Sequence, residues 1–371
     1  MKTILVTGAN GFIGRNLVAT LERKEKVELL KFGSNQPIEQ LREFASKADF
    51  VFHCAGVNRP NDVKEFSQGN THFTNQLIAI LKEDQRRTPI LFTSSVQASL
   101  DNPYGNSKRN AEEAIFKYGK EADVDVYVYR LPNVFGKWCK PNYNSVIATW
   151  CYNITRDIPI EIHNPNNVLN LVYIDEIIEE FINAMIGNAN MQTDGYCYIK
   201  RSFKVTLQAL LDKIELFKTS RKTLVMGDLQ DDFERYLYST YLSYLPEDTF
   251  GYNLEMKHDN RGWLAEFIKS ENFGQVFISR TKPGITRGNH WHHTKVEKFL
   301  VVEGDALIKF RPISGDNVLE YKVSGEQLKV IDIPPGYSHS ITNTGQTELL
   351  TLFWANEIFD QQNPDTYFME V

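Results

Sequence analysis

The chain has 371 residues, of which 42% are hydrophobic and 24% charged, which is a globular composition at a length that favours two domains. Its formal net charge is -6 and it has no basic run interleaved with aromatic residues, so we expect no nucleic-acid partner. No apolar stretch approaches the roughly 20 residues of a membrane span, and strand-like residues follow directly after Lys2. We therefore expect no signal peptide, no membrane association and a cytoplasmic location.

A glycine-rich turn follows the first predicted strand, residues 3–7, and precedes a helical segment at residues 15–23. Glycines let the backbone turn sharply and approach a pyrophosphate, which is stabilised at the positive end of the following helix. The pattern predicts a dinucleotide-binding site. Its candidate cofactor-binding residues are Gly8, Asn10, Gly11, Phe12, Ile13 and Gly14.

The second predicted strand, residues 27–32, should end beside the adenosine ribose. An NAD-preferring site usually has an acid there for the 2′-hydroxyl, whereas this strand ends Lys31-Phe-Gly-Ser34. Without an acid a 2′-phosphate is not repelled, and Lys31, Ser34 and Arg15 are candidates to bind it. We therefore predict NADP(H), although each of the three residues could instead be a solvated surface residue.

Two further predicted strands, residues 50–56 and 88–95, end in small or hydroxyl-bearing residues. The carboxyl ends of strands in an open α/β sheet face the ligand. Ala55 and Gly56 are therefore candidate cofactor contacts, and either Ser94 or Ser95 could hydrogen-bond a substrate carbonyl. Alternatively, the paired serines cap the segment that follows them.

Tyr104 and Lys108 are four residues apart, so in a helix they lie on the same face one turn apart. A nearby fixed cation favours the phenolate and so lowers the pKa of a tyrosine. The spacing predicts that Tyr104 exchanges a proton with a ketone or alcohol oxygen near neutral pH. The same spacing also arises by chance in many helices.

Six stretches, in this order, resemble the extended short-chain dehydrogenase/reductase family. They are Thr7-Gly-x-x-Gly-x-x-Gly14, His53-Cys-Ala-Gly56, Asn70 with Thr74, Ser94-Ser95, Tyr104-x-x-x-Lys108 and Arg130-Leu-Pro-Asn-Val-Phe-Gly136. The resemblance implies a Rossmann-type doubly wound parallel sheet and, in most members of this branch, a nucleotide-sugar substrate. The serine segment lacks the Thr-Asp-Glu run of the sugar-nucleotide 4,6-dehydratases, which disfavours dehydration.

The same resemblance assigns roles to individual residues. It implies that Ser95, with Ser94 as the near alternative, orients the substrate. Tyr104 is then the catalytic acid/base, and Lys108 both assists catalysis and holds the nicotinamide ribose of the cofactor. Asn144 is implied to contact the substrate diphosphate.

Residues 246–251 are a reasonable boundary between an NADP-binding domain, 1–246, and a second domain, 252–371. Short β-rich runs separated by glycines and prolines in the second domain predict an all-β jelly-roll barrel. These runs are residues 275–279, 299–302, 306–310 and 349–354. The predicted fold class is therefore α/β followed by all-β.

Histidines are concentrated in this second domain. His290 and His292 project to the same face of a regular strand, and Glu297 and His339 could complete a site for zinc, iron, manganese or nickel. Residues 284–304 and 334–343 resemble the two cupin motifs, except that Leu328 stands where a glycine is usual. We predict a cupin barrel that binds a divalent metal, most readily zinc; the alternative is a barrel kept only for dimerisation.

Along its full length the chain resembles the bifunctional capsular-polysaccharide enzymes of the N-acetyl-L-fucosamine pathway. The resemblance implies a UDP-2-acetamido-2,6-dideoxy-4-hexulose as substrate. The cupin would act as an isomerase that epimerises C3, and the reductase domain as an oxidoreductase that reduces C4 with NADPH. The product would be UDP-2-acetamido-2,6-dideoxy-L-talose, and cupin analogy suggests a homodimer.

Three other functions remain open. The chain could be a one-step C4 reductase whose barrel only dimerises. It could also be a non-catalytic NADP-sensing regulator, although such proteins typically lose the Tyr/Lys pair, or a scaffold that joins pathway enzymes through the barrel.

Overall fold

The structure, a computed structural model, describes residues 2–24, 27–83, 86–313 and 315–371. The chain forms two compact units, one of Met1–Ile214 with Tyr236–Pro246 and one of Glu215–Arg235 with Glu247–Val371. Residues 215–235 thus belong to the second unit, whereas the sequence-based division assigned them to the first domain. The division into 1–246 and 252–371 stays a prediction.

The first unit is built around a five-stranded parallel sheet with the strand order β2-β1-β3-β4-β5. Its strands are β1 Lys2–Thr7, β2 Val27–Phe32, β3 Phe50–His53, β4 Ile90–Ser95 and β5 Val126–Leu131. The central residues of the strands are mostly apolar because both faces of a parallel sheet are buried; Ile4, Leu5 and Val6 of β1 are fully buried. The parallel register places Thr7 beside His53, so the carboxyl ends of neighbouring strands meet at one edge.

Helices alternate with these strands. They are α1 Phe12–Leu21, α2 Ile38–Lys47, α3 Lys64–Phe66, α4 Phe73–Glu83, α5 Pro103–Ala122, α6 Val146–Ile154 and α7 Ile174–Met185. A π-helical segment, Ser67–His72, joins α3 to α4. A short mixed sheet of β6 Asn133–Phe135, β7 Val168–Tyr173 and β8 Phe203–Thr206 follows.

Two further helices, α8 Leu207–Thr223 and α9 Asp232–Leu242, follow the short sheet in the chain and precede the β-rich region. Single 3₁₀ turns occur at Val96–Ser99 and Glu247–Thr249. Within the described ranges, no helix is both long enough and apolar enough to cross a membrane.

The second unit contains two antiparallel sheets with the orders β16-β13-β18-β11-β10-β9 and β15-β14-β17-β12-β19. The strands are β9 Met256–Asp259, β10 Gly262–Ser270, β11 Gly274–Thr281, β12 Thr286–Trp291, β13 Glu297–Glu303, β14 Asp305–Pro312, β15 Leu319–Ser324, β16 Val330–Ile333, β17 Tyr337–Asn343, β18 Leu349–Ala355 and β19 Tyr367–Phe368. Alternate residues of both sheets, among them Phe299, Ile308 and Phe353, form one buried cluster. The predicted α/β unit followed by an all-β unit is confirmed.

Candidate active site and metal centre

The three glycines of the first turn have different surroundings. Gly8 has φ +68°, and a Cβ there would lie 2.6 Å from the Ala55 nitrogen. A Cβ on Gly14 would lie 2.1 Å from the Gly8 oxygen, so this glycine lets α1 pack against the turn. Gly11 caps the N-terminus of α1, and a Cβ there would meet only the Gly8 oxygen, at 3.2 Å. The exposed backbone at Gly11 can therefore be approached by a pyrophosphate, and the turn fits a dinucleotide.

The other predicted contacts of this region lie around the turn. Phe12 and Ile13 form the first turn of α1, and the Asn10 amide lies against Gly33, just beyond β2. Gly56 lies close to α5, since a Cβ there would be 2.9 Å from both Asn70 Oδ1 and Lys108 Nζ.

The three residues proposed for the 2′-phosphate have separate partners. Lys31 forms an ion pair with Glu22, and the Arg15 guanidinium lies 4.4 Å from the centre of the Trp138 ring. The exposed Ser34 hydroxyl lies 3.4 Å from Asn35 Oδ1. Because Glu22 neutralises Lys31, the end of β2 offers less positive charge to a phosphate than the sequence indicated.

Tyr104 lies in the first turn of α5. The Asn102 side chain caps this helix by accepting a hydrogen bond from the Gly105 nitrogen (2.7 Å), and Pro103 occupies the first helical position. The Tyr104 ring packs against Phe66, with 5.4 Å between ring centres, and its phenol lies near the Ser95 side chain. The local sequence thus fixes where α5 begins, and Phe66 and Ser95 from other segments flank the phenol.

Burial raises the pKa of Tyr104; Ser95 counteracts this effect and Tyr143 adds to it. The expectation that Lys108 lowers the pKa of Tyr104 was wrong. The buried Lys108 ammonium is directed to the Thr93 carbonyl oxygen, 3.0 Å away, and burial lowers the pKa of Lys108 to about 8. Tyr104 is consequently a protonated phenol at neutral pH, which is the form that can donate a proton.

Ser94 and Ser95 face opposite ways because side chains alternate along β4. Ser94 is buried and donates a hydrogen bond to Glu112, whose carboxylate also accepts two from Arg130, at 2.9 and 2.6 Å. Only Ser95 faces Tyr104. Ser94 therefore belongs to a buried polar network behind the strand, and the proposal that it is catalytic is withdrawn.

The sequence patterns indicated no physical role for three residues near the site, which are Asn70, His53 and Glu112. Asn70 clamps the backbone of Val57, accepting from its nitrogen and donating to its oxygen (both 2.9 Å), and also donates to Ser107. Buried His53 bridges Thr7 Oγ1 (2.7 Å) and Thr74 Oγ1 (2.9 Å), and burial lowers its pKa to about 3. Glu112 could have been found, since it lies four residues after Lys108 on the same helical face.

Asn144 is exposed and lies directly before Ser145, which caps α6 by accepting a hydrogen bond from the Ala148 nitrogen at 3.3 Å. It therefore stands at the positive end of a helix, where an anionic diphosphate would be stabilised.

In the second unit, the ligand atoms of His290, His292, Glu297 and His339 all lie within 4.8 Å of one another. His290 is directly opposite His339 in the pairing of β12 with β17, after a β-bulge at Asn289, whose φ is 57°. Glu297 begins β13 in the other sheet, and its Oε2 is 3.4 Å from the Nε2 atoms of His292 and His339. The structure thus brings all four predicted ligands together.

The charges of this cluster suit a cation. Burial, together with the neighbouring His339 and His292, lowers the pKa of His290 to about 4, so its imidazole is neutral at pH 7. Burial alone would raise the pKa of Glu297, but the adjacent His292 and His339 rings lower it to about 2. Neither ring nitrogen of buried His339 makes a well-aligned hydrogen bond to any described residue. Neutral imidazoles and an ionised carboxylate are what zinc and related metals require, so the cluster fits a divalent metal.

Comparison with known proteins gives the class. Residues 4–194 match the NAD dependent epimerase/dehydratase family, and residues 257–367 match the polysaccharide biosynthesis C-terminal domain. The chain belongs to the NAD dependent epimerase/dehydratase family and is an NAD(P)-dependent enzyme.

Three relatives are similar over essentially the whole chain. UDP-2-acetamido-2,6-beta-L-arabino-hexul-4-ose reductase of Pseudomonas aeruginosa is 43% identical over 368 residues, covering 99% of this chain and 98% of that protein. The crystal structure of the capsular polysaccharide assembling protein CapF from Staphylococcus aureus has 48% identity and a TM-score of 0.93, covering 99% of this chain and 100% of that one. CapF with the inhibitor 3-isopropenyl-tropolone has 43% identity and a TM-score of 0.88, covering 100% of both chains. The resemblance to capsular-polysaccharide enzymes is confirmed.

Proposed function

We propose that the chain is a bifunctional enzyme of capsular polysaccharide precursor synthesis. The second unit epimerises C3 of a UDP-2-acetamido-2,6-dideoxy-4-hexulose, and the first unit reduces the C4 ketone with NADPH to UDP-2-acetamido-2,6-dideoxy-L-talose. The proposed reductase activity is supported by the full-length similarity to the P. aeruginosa reductase. It is also supported by the position of Tyr104 near Ser95 and one helical turn from Lys108. The four-residue His/Glu cluster carries the epimerase half.

When bound, NADPH would supply the hydride that reduces C4 of the sugar. Tyr104 gives its phenolic proton to the C4 oxygen as that oxygen becomes an alkoxide, and it is reprotonated from solvent after the product leaves. Ser95 donates a hydrogen bond to the same oxygen and so holds the ketone against the phenol. Lys108 holds the nicotinamide ribose through its ammonium, and Asn144 contacts the diphosphate at the start of α6.

The choice of NADPH over NADH rests on the absence of an acidic residue among the last residues of β2 and the turn after it, 31–34. Lys31 is already paired with Glu22, so any contribution of Lys31 to the 2′-phosphate requires that ion pair to open. Kinetic constants measured with both cofactors test the preference: a kcat/KM that is higher with NADH would refute it.

For epimerisation, His290, His292, Glu297 and His339 would hold a divalent metal, with zinc the first choice. Such an ion would supply Lewis-acid chemistry, which polarises a ketone and makes the neighbouring C–H more acidic.

The test is proton NMR of the UDP-4-keto-6-deoxy sugar in D2O with enzyme but without NADPH. We expect the H3 signal to disappear with the wild-type enzyme and with Tyr104→Phe, and to persist after chelation or with His290→Ala. On addition of NADPH, Tyr104→Phe should leave the epimerised ketone unreduced. A stable H3 signal, or loss of both activities in Tyr104→Phe, would refute this division of labour.

A one-step C4 reductase is the second candidate, because the name of the P. aeruginosa relative states reduction alone. In that case His290→Ala would leave the turnover and the product stereochemistry unchanged. Failure to oxidise NADPH with any keto sugar nucleotide would instead favour the regulator or scaffold functions.

A homodimer in the cytoplasm, without a nucleic-acid or membrane partner, remains part of the proposal. Sedimentation velocity of the purified chain tests the dimer, and a monomer at micromolar concentration would contradict it.

A further inference from the structure

The C-terminal segment, residues 363–371, borders the His/Glu cluster. Its strand β19 pairs with β12, so that Phe368 is opposite His290 and Tyr367 is opposite Trp291. The Met369 nitrogen also donates a hydrogen bond to the Asn289 oxygen at 2.9 Å. The strand that carries the first histidine of the cluster therefore lies between β17 and the last residues of the chain.

Asp365 in this segment contacts the second histidine directly. Its backbone carbonyl oxygen is 2.6 Å from His292 Nδ1. A carbonyl can only accept, so Nδ1 carries the proton and Nε2 keeps its lone pair free. Nε2 is the atom that faces Glu297, at 3.4 Å. The Asp365 carbonyl thus selects the tautomer of His292 that can bind a metal inside the cluster.

The carboxylate of Asp365 holds the loop that connects His292 to Glu297. It accepts hydrogen bonds from the nitrogens of His293 (3.0 Å), Thr294 (2.9 Å) and Lys295 (2.8 Å), and a fourth from Thr294 Oγ1 (3.1 Å). The three nitrogens are consecutive, so one side chain fixes the course of the whole loop.

Two other observations show that the position of Asp365 is held by its surroundings. The backbone of Asp365 has φ 38°, a left-handed conformation that aspartate tolerates better than most residues but that still requires support from its surroundings. Lys295 is only 4% exposed, and its ammonium donates to the Pro364 oxygen and to Thr366 Oγ1 (3.2 Å), on either side of Asp365.

We propose that Asp365 is a positioning residue for the metal centre. Its backbone oxygen sets the tautomer and direction of His292, and its carboxylate sets the distance between His292 and Glu297 through the loop. The inference rests on the proposed metal site, and Asp365 itself is not a ligand. Groups behind metal ligands typically contribute about 10–100-fold to affinity.

The experiment measures Co2+ binding to the full-length metal-free enzyme by competition with a chromophoric chelator, together with the visible absorption spectrum of bound Co2+. We expect Asp365→Ala to bind Co2+ about 10–100-fold more weakly than the wild type and with an altered spectrum. Asp365→Asn, which keeps one acceptor oxygen, should lie in between. Asp360→Ala is the matched control, because Asp360 accepts a hydrogen bond from the Gln362 nitrogen (2.8 Å) in its own turn, and it should match the wild type.

Thermal unfolding in EDTA shows whether each variant is folded. If Asp365→Ala is unfolded, Asp365→Asn decides the question. A folded Asp365 variant with wild-type Co2+ affinity and spectrum would overturn the inference alone. A wild-type protein that binds no Co2+ would overturn the proposed metal site as well.

Discussion

The two adjacent serines at the end of β4 have different roles, one at the proposed active site and one in a buried polar network. Ser95 faces the Tyr104 phenol, whereas Ser94 donates to buried Glu112. We expect Ser95→Ala to lower kcat of reduction by about 10²-fold, because a hydrogen bond to the developing alkoxide is lost. Ser94→Ala should instead lower the free energy of unfolding by about 1–3 kcal/mol and leave kcat nearly unchanged. NADPH oxidation and urea unfolding measure the two effects; equal losses of kcat would contradict the assignment.

Lys108 gives the reduction a predictable pH dependence. Burial lowers the pKa of Lys108 to about 8, so its ammonium is charged at pH 7 and loses the charge as the pH rises through about 8. We expect kcat/KM for reduction to fall over that range, since kcat/KM reports the ionisations of the free enzyme.

Lys108→Arg is the test of that assignment. A guanidinium stays protonated at these pH values, so whatever activity the variant retains should no longer fall near pH 8. A descending limb at the same pH in the variant would assign it to another group.

Sequence patterns predicted which residues would meet at this site but not their environments. The i,i+4 spacing of Tyr104 and Lys108 predicted that both lie on one helix, one turn apart, and α5 contains both, because helix geometry is local. The predicted direction of the change in the pKa of Tyr104 was wrong, because burial of the phenol raises this pKa and the spacing does not show burial. The partner of Lys31 was missed for a similar reason, since Glu22 comes from the end of another element.

At the scale of elements, the turn between β1 and α1 makes two glycines experimentally distinguishable. Gly14→Ala would place a methyl group 2.1 Å from the Gly8 oxygen and should cost about 1–3 kcal/mol or more in stability. Gly11 has φ -76°, so alanine fits its backbone, and Gly11→Ala should change stability by less than about 1 kcal/mol.

Gly11→Ala should weaken NADPH binding even though it has little effect on stability. A methyl group there occupies the approach to the pyrophosphate, and we expect about a tenfold higher Kd by NADPH fluorescence titration. Thermal unfolding of both variants is the companion measurement. A stable Gly14→Ala, or a Gly11→Ala that binds NADPH normally, would contradict these roles.

Strand β12, which carries His290, shows what could not be predicted at the level of elements. Period-two alternation placed His290 and His292 on one face, yet β12 ends at Trp291 and His292 lies in the loop beyond it. The bulge at Asn289 and the Asp365 carbonyl bring the two rings into the cluster instead. The π-helical segment that carries Asn70 was likewise not predicted, because the side-chain bonds of Asn70 to Val57 and Ser107 join distant parts of the chain.

For the whole molecule, the sequence predicted both fold classes because continuous apolar strands and alternating strands have different burial patterns. It placed residues 215–235 with the first domain because a helical stripe does not show what it packs against. In the structure the Met226 nitrogen donates a hydrogen bond to the Lys269 oxygen (2.7 Å) and the Lys269 nitrogen donates one to the Leu224 oxygen (2.8 Å); Lys269 belongs to the β-rich unit.

The two proposed activities use residues of separate compact units, so two inactive variants should complement each other. We expect Tyr104→Phe mixed with His290→Ala to form the reduced, epimerised product, because each supplies the step that the other lacks. NMR of the product with NADPH measures this. Product from His290→Ala alone would favour the one-step reductase, and no product from the mixture would contradict release of the intermediate.

The chain leaves the first unit after residue 214 and returns to it for residues 236–246. During synthesis on a ribosome, the first unit therefore cannot be completed when its parallel sheet has emerged; it must wait until residue 246 has left the exit tunnel. A gene cut after residue 214 would encode an incomplete unit, so neither unit of this protein can be obtained by a single cut in the chain.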